Sequence, residues 1–238
     1  MKKRFQKALH DKDFDELLKG SGISFSLRFG GLAVGYLLTL VIANLFGAKG
    51  LGDYVLAITV LRLFTLLSKL GLDTTSIRFI SSFASQDKWT SIFKFRKQVI
   101  SILSISSIAA SLLMYFLAIP IADLINAKYE YIQLNAFFVL PMTFFMLHYQ
   151  SLRGLKRIAE FSFFYRMAQA LFSVISIIIL YQFFSFQSPS VPVPPSVPVY
   201  AYLISVLIVS LLSFISFRYW LNKRSKGKES AEKEIMRY

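Results

Sequence analysis

Apolar residues run through this chain in six long, continuous stretches with polar punctuation between them. They lie near residues 23–43, 52–72, 99–121, 131–151, 161–184 and 199–217. Each is close to the roughly twenty residues that a helix needs to cross a hydrocarbon core of about 30 Å. The runs do not alternate with polar residues, and they far exceed the length of a tilted barrel strand, so they predict helices. The pattern predicts an all-α membrane protein, with six transmembrane helices in one bundle over residues 23–217. Residues 1–22 form a polar N-terminal segment, readable as a surface helix or a partly ordered tail; residues 218–238 form a basic tail. Pro141, inside the fourth run, removes a backbone donor and predicts a kink there.

Lysine and arginine set the direction of the weave. The N-terminal segment holds six, residues 73–98 hold five, and the tail holds seven, while Arg153, Lys156 and Arg157 follow the fourth run. The intervening turns hold only Lys49, only Lys128, and none in the Pro-rich stretch FQSPSVPVPPSVPV. By the positive-inside rule this places both termini in the cytoplasm, and it predicts a multi-pass protein of the cytoplasmic (inner) membrane. The Pro-rich stretch then reads as an extended external linker. Residues 73–98 read as a basic, aromatic segment at headgroup level, carrying Trp89, Phe93 and Phe95, where a lipid-headgroup site is one reading.

Composition agrees with this reading. The chain of 238 residues is 55% hydrophobic, with a mean hydropathy of +0.55, too apolar for an ordinary soluble domain. A net charge of +14 could indicate nucleic acid, but the charges sit in blocks between apolar runs, which argues for a membrane and against that partner. Without cysteine there is no disulfide and no catalytic thiol.

Polar residues inside the runs fall at helical spacing. Ser24, Arg28, Gly31, Gly35 and Thr39 share one face of the first helix, and Thr59, Arg62, Thr65 and Lys69 one side of the second. Ser162, Arg166, Gln169, Ser173 and Ser176 form a third stripe; Ser104, Ser107 and Ser111 read as interhelical glue. Gly31 and Gly35 form the GxxxG spacing of close helix packing. Arg28 and Arg166 lie near cytoplasmic ends, where they either snorkel to headgroups or line a cavity. Arg62 is expected about 15 Å from either end of its helix, too deep to snorkel. No acid lies in the middle of any run. An interior positive in this way favours an anionic passenger, and phosphate or pyrophosphate suits guanidinium geometry. The candidate binding residues for such an anionic headgroup are therefore Arg28, Arg62 and Arg166.

No Walker loop, GxSxG, HExxH or paired carboxylates occur, and His10 and His148 have no acidic or histidine neighbours at metal spacing. The chain is read as a non-enzyme, with no cofactor and no metal.

Four segments resemble a known family. These are LLKGSGISFSLRFGG (17–31), ANLFGAKGLGDYVLA (43–57), KLGLDTTSIRFIS (69–81) and QSLRGLKRIAEFSFF (150–164). In order and spacing they are similar to the polysaccharide biosynthesis proteins, the Wzx-type flippases of the multidrug/oligosaccharidyl-lipid/polysaccharide exporter superfamily. The resemblance implies a flippase that moves lipid-linked oligosaccharide by alternating access, with Arg28, Arg62 and more weakly Arg166 meeting the lipid (pyro)phosphate. The family has twelve to fourteen spans in two bundles, so six spans imply the N-terminal half of such a fold. That half would be a fragment, half of a split gene, or a subunit pairing with a second half-transporter or a second copy. A multidrug exporter of the same superfamily and a non-transporting membrane assembly subunit are the alternatives.

Overall fold

The computed structural model describes the backbone of residues 12–187 and 192–235 and the side chains of 22–187 and 192–223. All regular structure among these residues is helical. Helix α1 covers Lys12–Ser68, α2 Leu72–Ser85, α3 Trp89–Phe116, α4 Ala118–Ile125 and α5 Tyr129–Ala136. Then come α6 (Val139–Gly154), α7 (Ile158–Phe163), a π-helical turn (Phe164–Ala168), α8 (Gln169–Gln187) and α9 (Val197–Ile235). The expected surface helix at the N-terminus lies mostly outside the described residues, as do 188–191 of the Pro-rich linker and the side chains of the tail beyond Lys223.

Among the described residues, four helices are long and apolar enough to cross a membrane, and a fifth crossing is available if α5 and α6, bent by 54°, act as one span. The first of the four is 47 residues long, about 70 Å if straight and more than twice a hydrocarbon core. It is not straight. Gly47 has φ 70° and ψ −176°, a conformation open to glycine alone, and α1 breaks there into an N-arm (12–46) and a C-arm (48–68). Leu38 and Arg62 would stand about 36 Å apart on a straight helix, yet they line one cleft of about 140 Å³. The chain therefore doubles back at Gly47, and the turn between the first two runs, which carries Gly47, Gly50 and Gly52 in sequence, is one non-helical residue long.

Side-chain contacts fix the relative directions of the helices. Ser24 meets Ser162, and Phe46 meets Tyr181, so the N-arm runs parallel to α7 and α8. Asp53 pairs with Lys128, Asn135 donates to the Ala57 carbonyl and Ser68 bonds Thr143, so the C-arm runs parallel to α5 and α6. Ser111 donates to the Ala136 carbonyl at 2.6 Å while Leu103 packs on Leu147, so α3 runs antiparallel to α6. Ser111 is thus the interhelical glue that its spacing predicted; Ser104 and Ser107 bond back to their own helix instead. The core, with Ile42, Leu61, Ile132, Leu152, Tyr202 and Phe217 fully buried, sits where these helices meet. Phe25, Phe29, Leu32 and Tyr36, by contrast, point outward, each more than half exposed, as apolar side chains bathed in lipid do.

The kink expected from Pro141 is present, and two boundaries differ from expectation. The bend at Pro141 falls at Phe137 and Phe138, since the proline ring excludes the carbonyl four residues earlier and splits the run into α5 and α6. Residues 73–98 are not one interfacial loop: α2 is an amphipathic helix against α6, and α3 begins at Trp89, ten residues before the expected start. Gly154 makes the first of these contacts possible, because a Cβ there would stand 3.0 Å from the Ile80 Cβ. The C-arm ends at Ser68, where Leu70 (φ 48°) and Gly71 (φ 73°) turn left-handed. Arg62 therefore lies about 9 Å from its helix end, nearer than expected.

Candidate functional site

The three arginines singled out from the sequence converge. Leu32 and Arg62 both lie 15 residues from Gly47, so the α1 hairpin brings them to the same level. Opposite them stands the π-turn, which carries Tyr165 and Arg166. A cleft of about 340 Å³ is lined by Arg28, Gly31, Leu32, Tyr165 and Arg166. The 140 Å³ cleft beside it is lined by Leu38, Tyr54, Arg62, Gln169, Ser173 and Tyr202, and again by Tyr165 and Arg166. A third, of about 410 Å³, is lined by Thr59, Arg62, Leu63, Leu66, Lys69 and Met146. Arg166 joins the first cleft to the second, and Arg62 the second to the third, so the cationic run reads Arg28, Arg166, Arg62, Lys69.

Close backbone approach holds this arrangement. A Cβ on Gly31 would stand 2.5 Å from the Arg166 carbonyl oxygen, a distance that real side chains do not adopt. Glycine is required there because the π-turn presses its backbone against the N-arm. Gly35, the partner in the GxxxG spacing, faces open space, so only half of that motif packs. Ser162 donates to Ser24 at 3.1 Å below the π-turn, and Ser173 shares a 2.8 Å hydrogen bond with Ser205 above it. In the polar stripe of the fifth run, Ser162 and Ser173 thus tie helices together, while Arg166 and Gln169, with Ser173, line the clefts.

The charges are unmatched. Among the described residues, the ion pairs are Lys69–Asp73 at 2.9 Å, Lys128–Asp53 at 3.5 Å and Arg157–Glu160 at 2.6 Å. Arg28, Arg62 and Arg166 pair with no acid there, and no acid lines the three clefts. Aromatic faces hold two of them: the Arg166 Cζ is 4.6 Å from the Tyr165 ring centroid, and the Arg62 Cζ 6.0 Å from that of Tyr202. Tyr202 is 1% exposed and packs edge-on against Tyr54 at 5.9 Å. Its buried hydroxyl makes no hydrogen bond, although the Arg62 and Gln169 side chains both face it. A buried hydroxyl of this kind costs about 1–3 kcal/mol unless it is satisfied, which marks the cleft floor as a place for a hydrogen-bonding guest. At the opposite end of the C-arm, Lys128 donates to the Tyr131 hydroxyl and pairs with Asp53; these contacts, Tyr131 first, hold its ammonium above the ordinary lysine range.

Sequence reasoning missed the tyrosines. Tyr54, Tyr165 and Tyr202 lie inside apolar runs, where a phenol needs a partner, and that was the available signal. It also missed the π-turn, a feature often found at functional sites. Among the described residues no three His, Asp or Glu side chains gather as a metal site would require.

Fold and site together mark a helical membrane protein with a cationic cleft on one side of the bundle. Compared with models of protein families, with curated proteins and with solved structures, the chain has no match.

Proposed function

We propose that the chain is one bundle of a flippase, a transporter that moves lipid-linked oligosaccharide across the cytoplasmic membrane. In this reading the α1 arms, α3, the α5–α6 pair, α7–α8 and α9 cross the bilayer six times, with both termini cytoplasmic. The helix directions set by the contacts above are compatible with such an alternation, and the lysine and arginine bias favours it. The observation that carries the proposal is the joined pair of clefts lined by three guanidiniums, none paired with an acid among the described residues, with Arg62 and Arg166 in the cleft that Tyr202 also lines. In a low dielectric such a site attracts an anion and repels cations, and forked guanidinium donors match phosphate oxygens. Arg62 and Arg166 would hold the (pyro)phosphate of the carrier lipid, with Arg28 at the rim of the wider cleft. The glycan would stay in the wet groove and the tail in lipid, while rocking against a second bundle exposes the site to the other side. The resemblance of residues 17–164 to the Wzx-type flippases agrees with this reading.

A multidrug exporter for organic cations fits the site less well, since no carboxylate lines it. The test is binding, which does not require the second bundle. Purified protein should retain a polyprenyl-pyrophosphate oligosaccharide, measured by native mass spectrometry, and Arg62→Ala should weaken that retention at least tenfold. Wild-type retention by a well-folded Arg62→Ala protein would overturn the role of Arg62. Retention no tighter than that of a neutral glycolipid would overturn the function.

A further inference from the structure

On another side of the bundle lies a slot that the flippase reading does not use. It is about 370 Å³ and is lined by Ile100 of α3, by Pro141, Phe144 and His148 of α6, and by Leu207 and Phe214 among others of α9. Its walls are apolar, and the half-exposed Leu207 and Leu211 leave it open sideways, toward where lipid would lie. One end is different. His148 is 6% exposed, lies 5.3 Å from the Phe214 ring, and its Nδ1 has no hydrogen-bond partner. The Arg96 guanidinium sits 3.9 Å from the Phe217 ring centroid, within Coulombic reach of both His148 and Arg218. Arg218 in turn lies 5.9 Å from the Phe214 ring. No acid pairs with Arg96 or Arg218 among the described residues.

We infer that this slot binds an anionic glycerophospholipid, with its phosphate at Arg96 and Arg218 and one acyl chain along α6 and α9. Two like charges gathered without a counter-ion call for an anion, and the bilayer supplies anionic headgroups at the cytoplasmic surface. The neighbouring Lys94 and Lys97 belong to the same basic stretch of sequence. Length selects the tail. From Leu207 to Phe214 the slot runs about 10 Å, and Arg218 stands one helical turn beyond it, so floor to guanidinium is about 16 Å, half of a core of roughly 30 Å and thus one leaflet. An acyl chain fills one leaflet; a polyprenyl chain is longer. His148, whose buried Nδ1 has no hydrogen-bond partner, forms part of the slot wall on the α6 side.

The experiment is native mass spectrometry of the full chain in detergent, supplied with phosphatidylglycerol or phosphatidylcholine of matched chains. The wild type should retain phosphatidylglycerol at least tenfold more tightly. Arg218→Gln, at an exposed position, should remove most of that preference without affecting the fold, and Arg96→Gln should remove it further. Leu211→Trp, which fills the slot, should reduce retention of both lipids while the Arg62-dependent binding of polyprenyl pyrophosphate persists. Equal retention of the two lipids by the wild type would overturn the inference, as would an unchanged preference in Arg218→Gln. A slot that held polyprenyl phosphate in place of phosphatidylglycerol, or that closed only on a second copy of the chain, would overturn it too.

Discussion

Arg28, Arg62 and Arg166 on one side, and Arg96 and Arg218 on another, stand without acid partners among the described residues, and the two places are built differently. Around Arg28, Arg62 and Arg166 the walls carry Tyr54, Tyr165, Gln169, Ser173 and Tyr202, so the charge is met by hydroxyls, an amide and aromatic faces. Arg96 and Arg218 instead lie over the Phe217 and Phe214 rings, beside a slot walled by Ile100, Phe144, Leu207 and Leu211. Unpaired charge alone does not define a ligand; the surface next to it does. Polar walls accommodate a group that brings water and hydroxyls. Apolar walls accommodate a group whose charge ends where its hydrocarbon begins.

Substitutions can break or sharpen that contrast. The largest expected effect is that of Arg62→Ala on binding of a lipid pyrophosphate, a loss of tenfold or more, at least about 1.4 kcal/mol. Retention of phosphatidylglycerol should stay unchanged in the same preparation. If both bindings fall together, the two sites are one. Gly31→Ala should come next. A methyl group 2.5 Å from the Arg166 carbonyl must push the N-arm off the π-turn. Overpacking of this kind costs about 1–3 kcal/mol, readable as a fall in Tm, and it should weaken pyrophosphate binding while sparing the phospholipid. Gly47→Ala should cost a similar 1–3 kcal/mol through backbone strain, but should loosen the hairpin without touching any wall of the slot. The smallest effect should be that of Ser173→Ala, which removes the bond to Ser205. Interhelical hydrogen bonds average about 0.6 kcal/mol in a membrane bundle, so a slight fall in Tm with both bindings intact is expected.

Apolar runs made the helices legible, and helical spacing made the arginine stripes legible, because both depend only on near neighbours in the chain. The bend ahead of Pro141 was legible for the same reason: a missing N–H acts within one turn. What could not be read was convergence. That Arg62 meets Tyr202, 140 residues away, follows from the reversal at the Gly-rich turn, which the sequence does signal, and from where α9 packs, which leaves no local trace. The π-turn was hidden because one extra residue in a helical turn changes phase, not composition. The α3 boundary was misplaced because Trp89, Phe93 and Phe95 fit a headgroup-level loop as well as the first turns of a helix. His148 looked inert beside its sequence neighbours, and only the packing of α3 and α9 against α6 brings Arg96 to it and Arg218 to Arg96.

The reversal at Gly47 has no slack. A loop of several residues between two membrane helices could absorb an insertion or a deletion, whereas a hinge of one residue cannot. Each residue gained or lost between Gly47 and Arg62 would turn the guanidinium by about 100° around its helix and carry it out of the cleft. Length polymorphism should therefore be forbidden between Gly47 and Arg62.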